Sequence, residues 1–252
     1  RSIQQYIRCI RKSSDDKTVG MLWDNLIAKC PKDYNYKIEF AAWLRDHNQH
    51  ETAEVLYKEL IYLPERMIAK KLRLKLHYGY GRLLQKMERP AEASVQFRQT
   101  LKLDESHQLA HDGFASTLHA LGKIAMHEER TSDANQHFIQ SEKEYRQAAY
   151  WAGKKGQSKA IFYTHLGWFY IDRERYADAI KILSPAKEEN PDYFGNYWGI
   201  GRAHMGLGQF QEARSAFRMA LERAPEDFQP PASIEIPELL RECENALSQF
   251  GS

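Results

Sequence analysis

Apolar residues recur at three- and four-residue steps along almost the whole chain. Ala53, Leu56, Tyr57 and Leu60 show the step, as do Ala93, Phe97, Thr100 and Leu101, and again Ala213, Phe217, Ala220 and Leu221. That spacing gathers apolar side chains on one face of an α-helix. Neither a convincing period-two alternation nor an Asn-Gly or Asp-Gly hairpin signal is present. Pro31, Pro64, Pro90, Pro191, Pro225 and the Pro230-Pro231 pair fall at intervals that suit short loops or first helical turns. The pattern predicts an all-α fold of antiparallel helix pairs.

Self-similarity sharpens this. Displaced by 34 residues, Tyr163 falls on Tyr197, Leu166 on Ile200 and Gly167 on Gly201. Tyr176 then falls on Phe210, Ala179 on Ala213, Leu183 on Phe217, Ala186 on Ala220 and Pro191 on Pro225. Close approach of two helices needs small groups at the crossing, so Gly167 is expected to face Ala179, and Gly201 to face Ala213. Tyr176 with Leu183, and Phe210 with Phe217, would fill the space beside each crossing. The two prolines would stop the second helix of each pair.

These residues resemble the tetratricopeptide repeat, a 34-residue helix-turn-helix unit. The resemblance is strongest over residues 160–227, where two units carry the family's Tyr-x-x-Leu-Gly-type, alanine and proline positions. Gly81, Ala93, Phe97 and Thr100 fit a weaker unit from Lys75 to Asp104, with Glu105 where proline is expected. Ala41, Ala53, Tyr57 and Leu60 fit another from Asn35 to Pro64. Between these and the last two, residues 106–156 read as a longer, irregular pair through Phe114, Ala115, Leu118, Ala134 and Phe138. The resemblance implies an α-solenoid winding as a right-handed superhelix. The expected organisation is an N-terminal helix pair at 1–32, broken near Ser13-Ser14-Asp15-Asp16, and an array of about five pairs at 33–227. A segment at 228–252 follows, whose polar helix from Ile236 to Phe250 would cap the stack's apolar end.

Composition removes other classes. The 252 residues are 42% hydrophobic and 28% charged, a folded rather than disordered balance. Thirty-six basic against 34 acidic side chains give a net charge of +2, with no bulk attraction to nucleic acid or membranes. No apolar run approaches a membrane span, and no signal peptide is visible. Cys9, Cys30 and Cys243 form no pair motif and read as reduced thiols in a cytoplasmic setting. The first residue, Arg1, and the last pair, Gly251-Ser252, suggest a piece of a larger protein.

No site of chemistry stands out. Gly199, Gly201, Gly206 and Gly208 lack the dinucleotide spacing and any preceding strand. Gly208 reads as a turn residue before Phe210. Gly153-Lys154-Lys155-Gly156 lacks the phosphate-loop spacing. Asp104, His107 and His111 could share a helical turn, but they read as surface groups, not a zinc site. No nucleophile motif occurs, so no enzyme, metal or cofactor is expected.

The resemblance implies a binding module whose first helices line a concave groove. Its period selects Lys75, Tyr78, Arg82 and Gln85 from one unit, and Asp112, Ser116 and His119 from the next. It selects Thr164, Trp168, Trp198, Arg202 and Met205 from the last two. Arginine and aromatic anchors suit a protein or peptide partner with acidic and apolar side chains. Such a module would serve as a scaffold or adaptor, or as the sensor region of a larger signalling protein. The lysine-asparagine clamp with which one subgroup holds chaperone C-termini is missing at Thr164, His165, Trp198 and Gly199. An RNA-binding helical repeat is the alternative, resting on Lys70, Lys71, Arg73, Lys75 and Arg82, against a near-neutral total charge.

Overall fold

The structure, a computed structural model, describes residues 15–225 and 232–250. Its contacts divide the chain into two compact units, with the boundary after Ile124. The first contains α1 (Asp16–Lys29), α2 (Tyr34–Asp46), α3 (His50–Ile61), α4 (Lys70–Lys86), α5 (Pro90–Leu103) and most of α6 (Gln108–His127). One short 3-10 turn, Glu65–Met67, joins α3 to α4. The second contains α7 (Thr131–Lys154), α8 (Ala160–Asp172), α9 (Tyr176–Glu189), α10 (Phe194–Gly206), α11 (Phe210–Arg223) and α12 (Ala232–Phe250). The described residues hold no strand. The architecture is an all-α solenoid of antiparallel helix pairs. Within the first unit α3 packs on α4 and α2 touches α4. Within the second, α9 packs on α10, α8 touches α10, and α12 covers α11.

One turn geometry recurs between paired helices. Asn48, Glu88, Glu129, Glu174 and Gly208 each take a positive φ between 55° and 71°. The next residue's N–H then donates to the carbonyl five residues back: Gln49 to Leu44, Arg89 to Leu84, Arg130 to Ala125, Arg175 to Tyr170 and Gln209 to His204, at 2.8–2.9 Å. This left-handed cap satisfies carbonyls that a helix C-terminus leaves unpaired. Four residues further on, Ala53, Ala93, Ala134, Ala179 and Ala213 donate back to those same turn residues, each at 3.0 Å, and all five are fully buried. The step between them is 40 residues from Ala53 to Ala93, 41 to Ala134, 45 to Ala179 and 34 to Ala213. A constant turn therefore joins helices of different lengths, so a fixed 34-residue frame finds only the last step.

The glycines pack differently from the expected small-against-small crossing. A Cβ on Gly167 would lie 2.5 Å from Leu183, and one on Gly201 would lie 2.6 Å from the Phe217 ring. Each glycine faces the bulky side chain four residues beyond the buried alanine, not the alanine itself. Gly199 receives the same Leu183 from the other side, at 2.8 Å. In the first unit Phe97 is held likewise between Gly81 at 3.0 Å and Gly113 at 2.6 Å, and Tyr57 presses on Gly79 at 2.6 Å. Phe97 and Leu183 thus each fill a notch cut into their own first helix and into the following one, whereas Tyr57 enters only the following helix and Phe217 only its own first helix. Gly206 gives room to the Tyr176 ring, and Gly208 is the left-handed turn residue.

Several boundaries move. The first helix of the expected 1–32 pair and the Pro230-Pro231 turn lie outside the described residues, while Asp15 caps α1 by accepting from the Thr18 N–H. Helix α4 begins at Lys70, five residues before the unit start placed at Lys75, because the extra residues of the 40-residue step form helix as well as loop. Helix α12 begins at Ala232 and carries Pro237 inside it, where the sequence suggested a start at Ile236. Pro185 likewise lies within α9, and the Ser184 hydroxyl donates to the Ile180 carbonyl one turn back.

Candidate functional site

In the first unit the selected residues separate into supports and surface. The Gln85 side-chain amide lies within hydrogen-bond distance of the Gly113 carbonyl (2.9 Å), Ser116 Oγ (2.6 Å) and Thr117 Oγ1 (3.0 Å). It ties α4 to α6. Asp112 is 8% exposed and offers a partner little surface. It stands in the stretch 110–115 of α6, which is buried throughout. His119 is half-buried. The Tyr78 ring packs against His107 in a tilted arrangement, with centroids 5.0 Å apart. Lys75 donates to Asn35 and approaches Glu39 at 3.7 Å, and Arg73 pairs with Glu65 at 2.6 Å. Two of the five basic residues behind the RNA reading are therefore matched by carboxylates. Arg82 is exposed, near Asp46.

In the second unit the selection converges. Trp168 on α8 and Trp198 on α10 meet edge to face, with ring centroids 4.6 Å apart. The Arg202 guanidinium lies 5.7 Å from the Trp168 ring and binds Glu235 of α12 at 3.0 Å. Met205 and Trp198 are half-buried against the cluster of Tyr197, Phe217 and Ile236. A cation over an aromatic face gains from the ring quadrupole while its N–H groups still bind a carboxylate. Thr164 is the exception. It is 3% exposed, 2.8 Å from the Ala160 carbonyl and 2.7 Å from the Asn196 side chain, so it braces α8 against α10 from within.

The Asp104, His107 and His111 set is occupied locally. Asp104 accepts from Ser106, His107 accepts from the Ala110 N–H, and His111 lies 2.8 Å from the Glu105 carbonyl. Among the described residues no group of three His, Cys, Asp or Glu side chains could hold a metal ion. No described helix is long and apolar enough to cross a membrane.

A feature that the repeat frame hid is a polar clamp present once in each unit. Glu54 on α3 accepts from the Tyr80 hydroxyl at 3.1 Å and from Arg89 at 2.7 Å. Glu142 on α7 accepts from Tyr170 at 2.9 Å and from Arg175 at 2.6 Å. Both arginines belong to the recurrent turn and also bind an acid three residues ahead, Glu92 or Asp178. Arg130 does the same with Asp133. The sequence signal was the string Glu-Arg-x-x-acid at 88–92, 129–133 and 174–178. Burial works to raise the Glu54 carboxyl, but hydrogen bonds from Lys58, Arg89 and Tyr80 outweigh it and hold the group below the usual range. Burial first, then the Glu54 hydrogen bond, pushes the Tyr80 phenol up.

With this geometry established, the comparisons agree with it. A tetratricopeptide repeat family model matches residues 170–232, the span from the end of α8 into α12. The chain carries tetratricopeptide repeats there. A tetratricopeptide-repeat protein of Thermus thermophilus is similar in fold at TM-score 0.60 and 16% identity, over 85% of this chain and 99% of that one. PilW, a type IV pilus biogenesis factor, superposes at 0.63 and 14% identity, over 86% and 92%. YrrB, described as a tetratricopeptide-repeat protein with an unusual peptide-binding site, superposes at 0.53 and 14%, over 88% and 97%. No curated protein matches the sequence.

Proposed function

We propose that the protein is a protein-interaction module and that the corner formed by Trp168, Trp198, Arg202 and Met205 receives a peptide with acidic and apolar side chains. The observation that carries this is Arg202, which lies over Trp168 and already holds a carboxylate, that of Glu235. A partner's acid would replace Glu235, and its apolar neighbour would lie against the tryptophan pair. Aromatic and arginine side chains dominate binding energy because they bury large areas with fixed geometry. The peptide-binding site named for YrrB supports the same use of this fold. In the first unit, Arg82 and Lys75 offer a second cationic edge on α4. Acting by binding, such a module serves as a scaffold or adaptor, or as the sensing region of a signalling protein.

The test is affinity capture with the intact chain beside its Arg202→Glu and Trp168→Ala variants. A partner retained by the parent should be lost by both variants, with helicity unchanged by circular dichroism. Equal retention by all three would remove the assignment.

A further inference from the structure

The second unit contains a cleft of 430 Å³ on the face of α7, α8 and α9, and none of Trp168, Trp198 and Arg202 lines it. Its floor is apolar, made by the buried Ala149, Leu166 and Tyr170. Tyr150, Tyr163 and Ile182 form the walls. That volume lies in the range of side-chain and ligand pockets, about 300–1,000 Å³. At Arg146 the cleft meets a second one of 370 Å³, which runs along α7 past Lys143 to the exposed Ile139. Two clefts joined end to end make a trough, a shape that suits an extended chain better than a compact small molecule.

The charge around it is one-sided. Two carboxylates line the trough, and both are held by arginine: Glu142 by Arg146 at 2.7 Å and by Arg175, and Asp178 by Arg175. Lys159 and Lys181 make no ion pair among the described residues. Glu189 is the acid nearest Lys159, and its Oε2 already accepts from Ser158 and from the Lys159 and Ala160 N–H groups. Lys154 adds a further cation above the Tyr150 ring, at 5.6 Å.

We propose that this trough is a second docking site, taking an aromatic side chain of a partner protein flanked by acidic residues. The aromatic ring would lie on Leu166 and Ala149 between the tyrosine walls, where offset and edge contacts between rings are favourable. The flanking carboxylates would meet Lys159 and Lys181; Glu189 lies near Lys159 but is already taken up by Ser158 and the Lys159 and Ala160 N–H groups. This surface shares α8 with the Arg202 corner but none of the corner's side chains, so it works independently of it.

The probe is a capped pentapeptide with two glutamates on each side of a phenylalanine, titrated into the intact chain carrying methyl-labelled leucine and isoleucine. The expected result is saturable shifts at Leu166 and Ile182, weakened by added salt, and absent with the matching lysine-flanked peptide. Lys159→Glu with Lys181→Glu should weaken binding at least tenfold, and the milder Lys159→Gln with Lys181→Gln should weaken it several-fold, covering a folding defect in the first pair. Arg202→Glu should leave the shifts unchanged. Absence of saturation at Leu166 and Ile182, shifts confined to Ile171 beside the Trp168 corner, or binding indifferent to both lysine pairs would each overturn the proposal.

Discussion

Glu54 in the first unit and Glu142 in the second perform the same task at different heights. Each binds a tyrosine from the next first helix and an arginine from the next turn. Glu54 stands one residue after the turn alanine of α3, whereas Glu142 stands eight residues after that of α7. Seven residues are two helical turns, about 10 Å of rise. The α8–α9 pair therefore docks two turns further along its predecessor than the α4–α5 pair does. Helix length, 24 residues in α7 against 12 in α3, absorbs the offset. The clamp thus falls at different heights on its helix in the two units, while the turn and its buried alanine stay constant.

The comparison can be broken at the clamp itself. Glu54→Ala leaves Arg89 and Tyr80 without their shared acceptor and should cost about 1.5–3 kcal/mol in urea unfolding, as for hydrogen bonds to charged groups. Glu142→Ala should cost less, because its side chain is 22% exposed against 14% for Glu54. Equal losses would mean that burial does not grade the two clamps. Acid gives a second reading. The native Glu54 pKa is lowered, so its contribution is complete above the unfolded carboxylate value of about 4.3 and is lost as pH falls through the lower native value. Glu54→Gln should therefore flatten part of the acid-side loss of stability.

The glycine notches sharpen the same contrast at smaller scale. A methyl on Gly201 meets the Phe217 ring at 2.6 Å, whereas one on Gly81 meets Phe97 at 3.0 Å. Overpacking costs about 1–3 kcal/mol, against roughly 1 kcal/mol gained in helix propensity. Gly201→Ala should thus lower thermal stability, and Gly81→Ala should be close to neutral. The smallest effect belongs to the turns. Glu174→Gly relieves a left-handed residue at φ 56° and should stabilise by about 0.5–1 kcal/mol, while Gly208→Ala should destabilise by a similar amount.

Much of this was legible in the chain. The core positions Ala53, Ala93, Phe114, Ala115, Leu118, Ala134 and Phe138 are all buried as the periodicity required. The two last repeats were visible because their helices are 13 and 14 residues long and match the 34-residue frame. What was not legible depends on depth and reach. Asp112 and Thr164 occupy groove positions in the frame, yet both are buried, Thr164 against Asn196 of α10. Leu183 and Phe217 carry no mark of which glycine they enter. Glu54, Glu142 and their arginines look like ordinary helix-surface charges, since the pairing spans 26 to 35 residues. The boundary after Ile124 falls inside a helix, where composition gives no break.

The most direct measurement is quantitative capture of binding partners by the intact chain, its Arg202→Glu variant and its Lys159→Glu/Lys181→Glu variant, all verified as folded. At least one partner should fall more than tenfold with Arg202→Glu while being kept by the lysine pair. If every captured protein is retained equally by Arg202→Glu, the Trp168–Trp198–Arg202 corner is not where this protein binds.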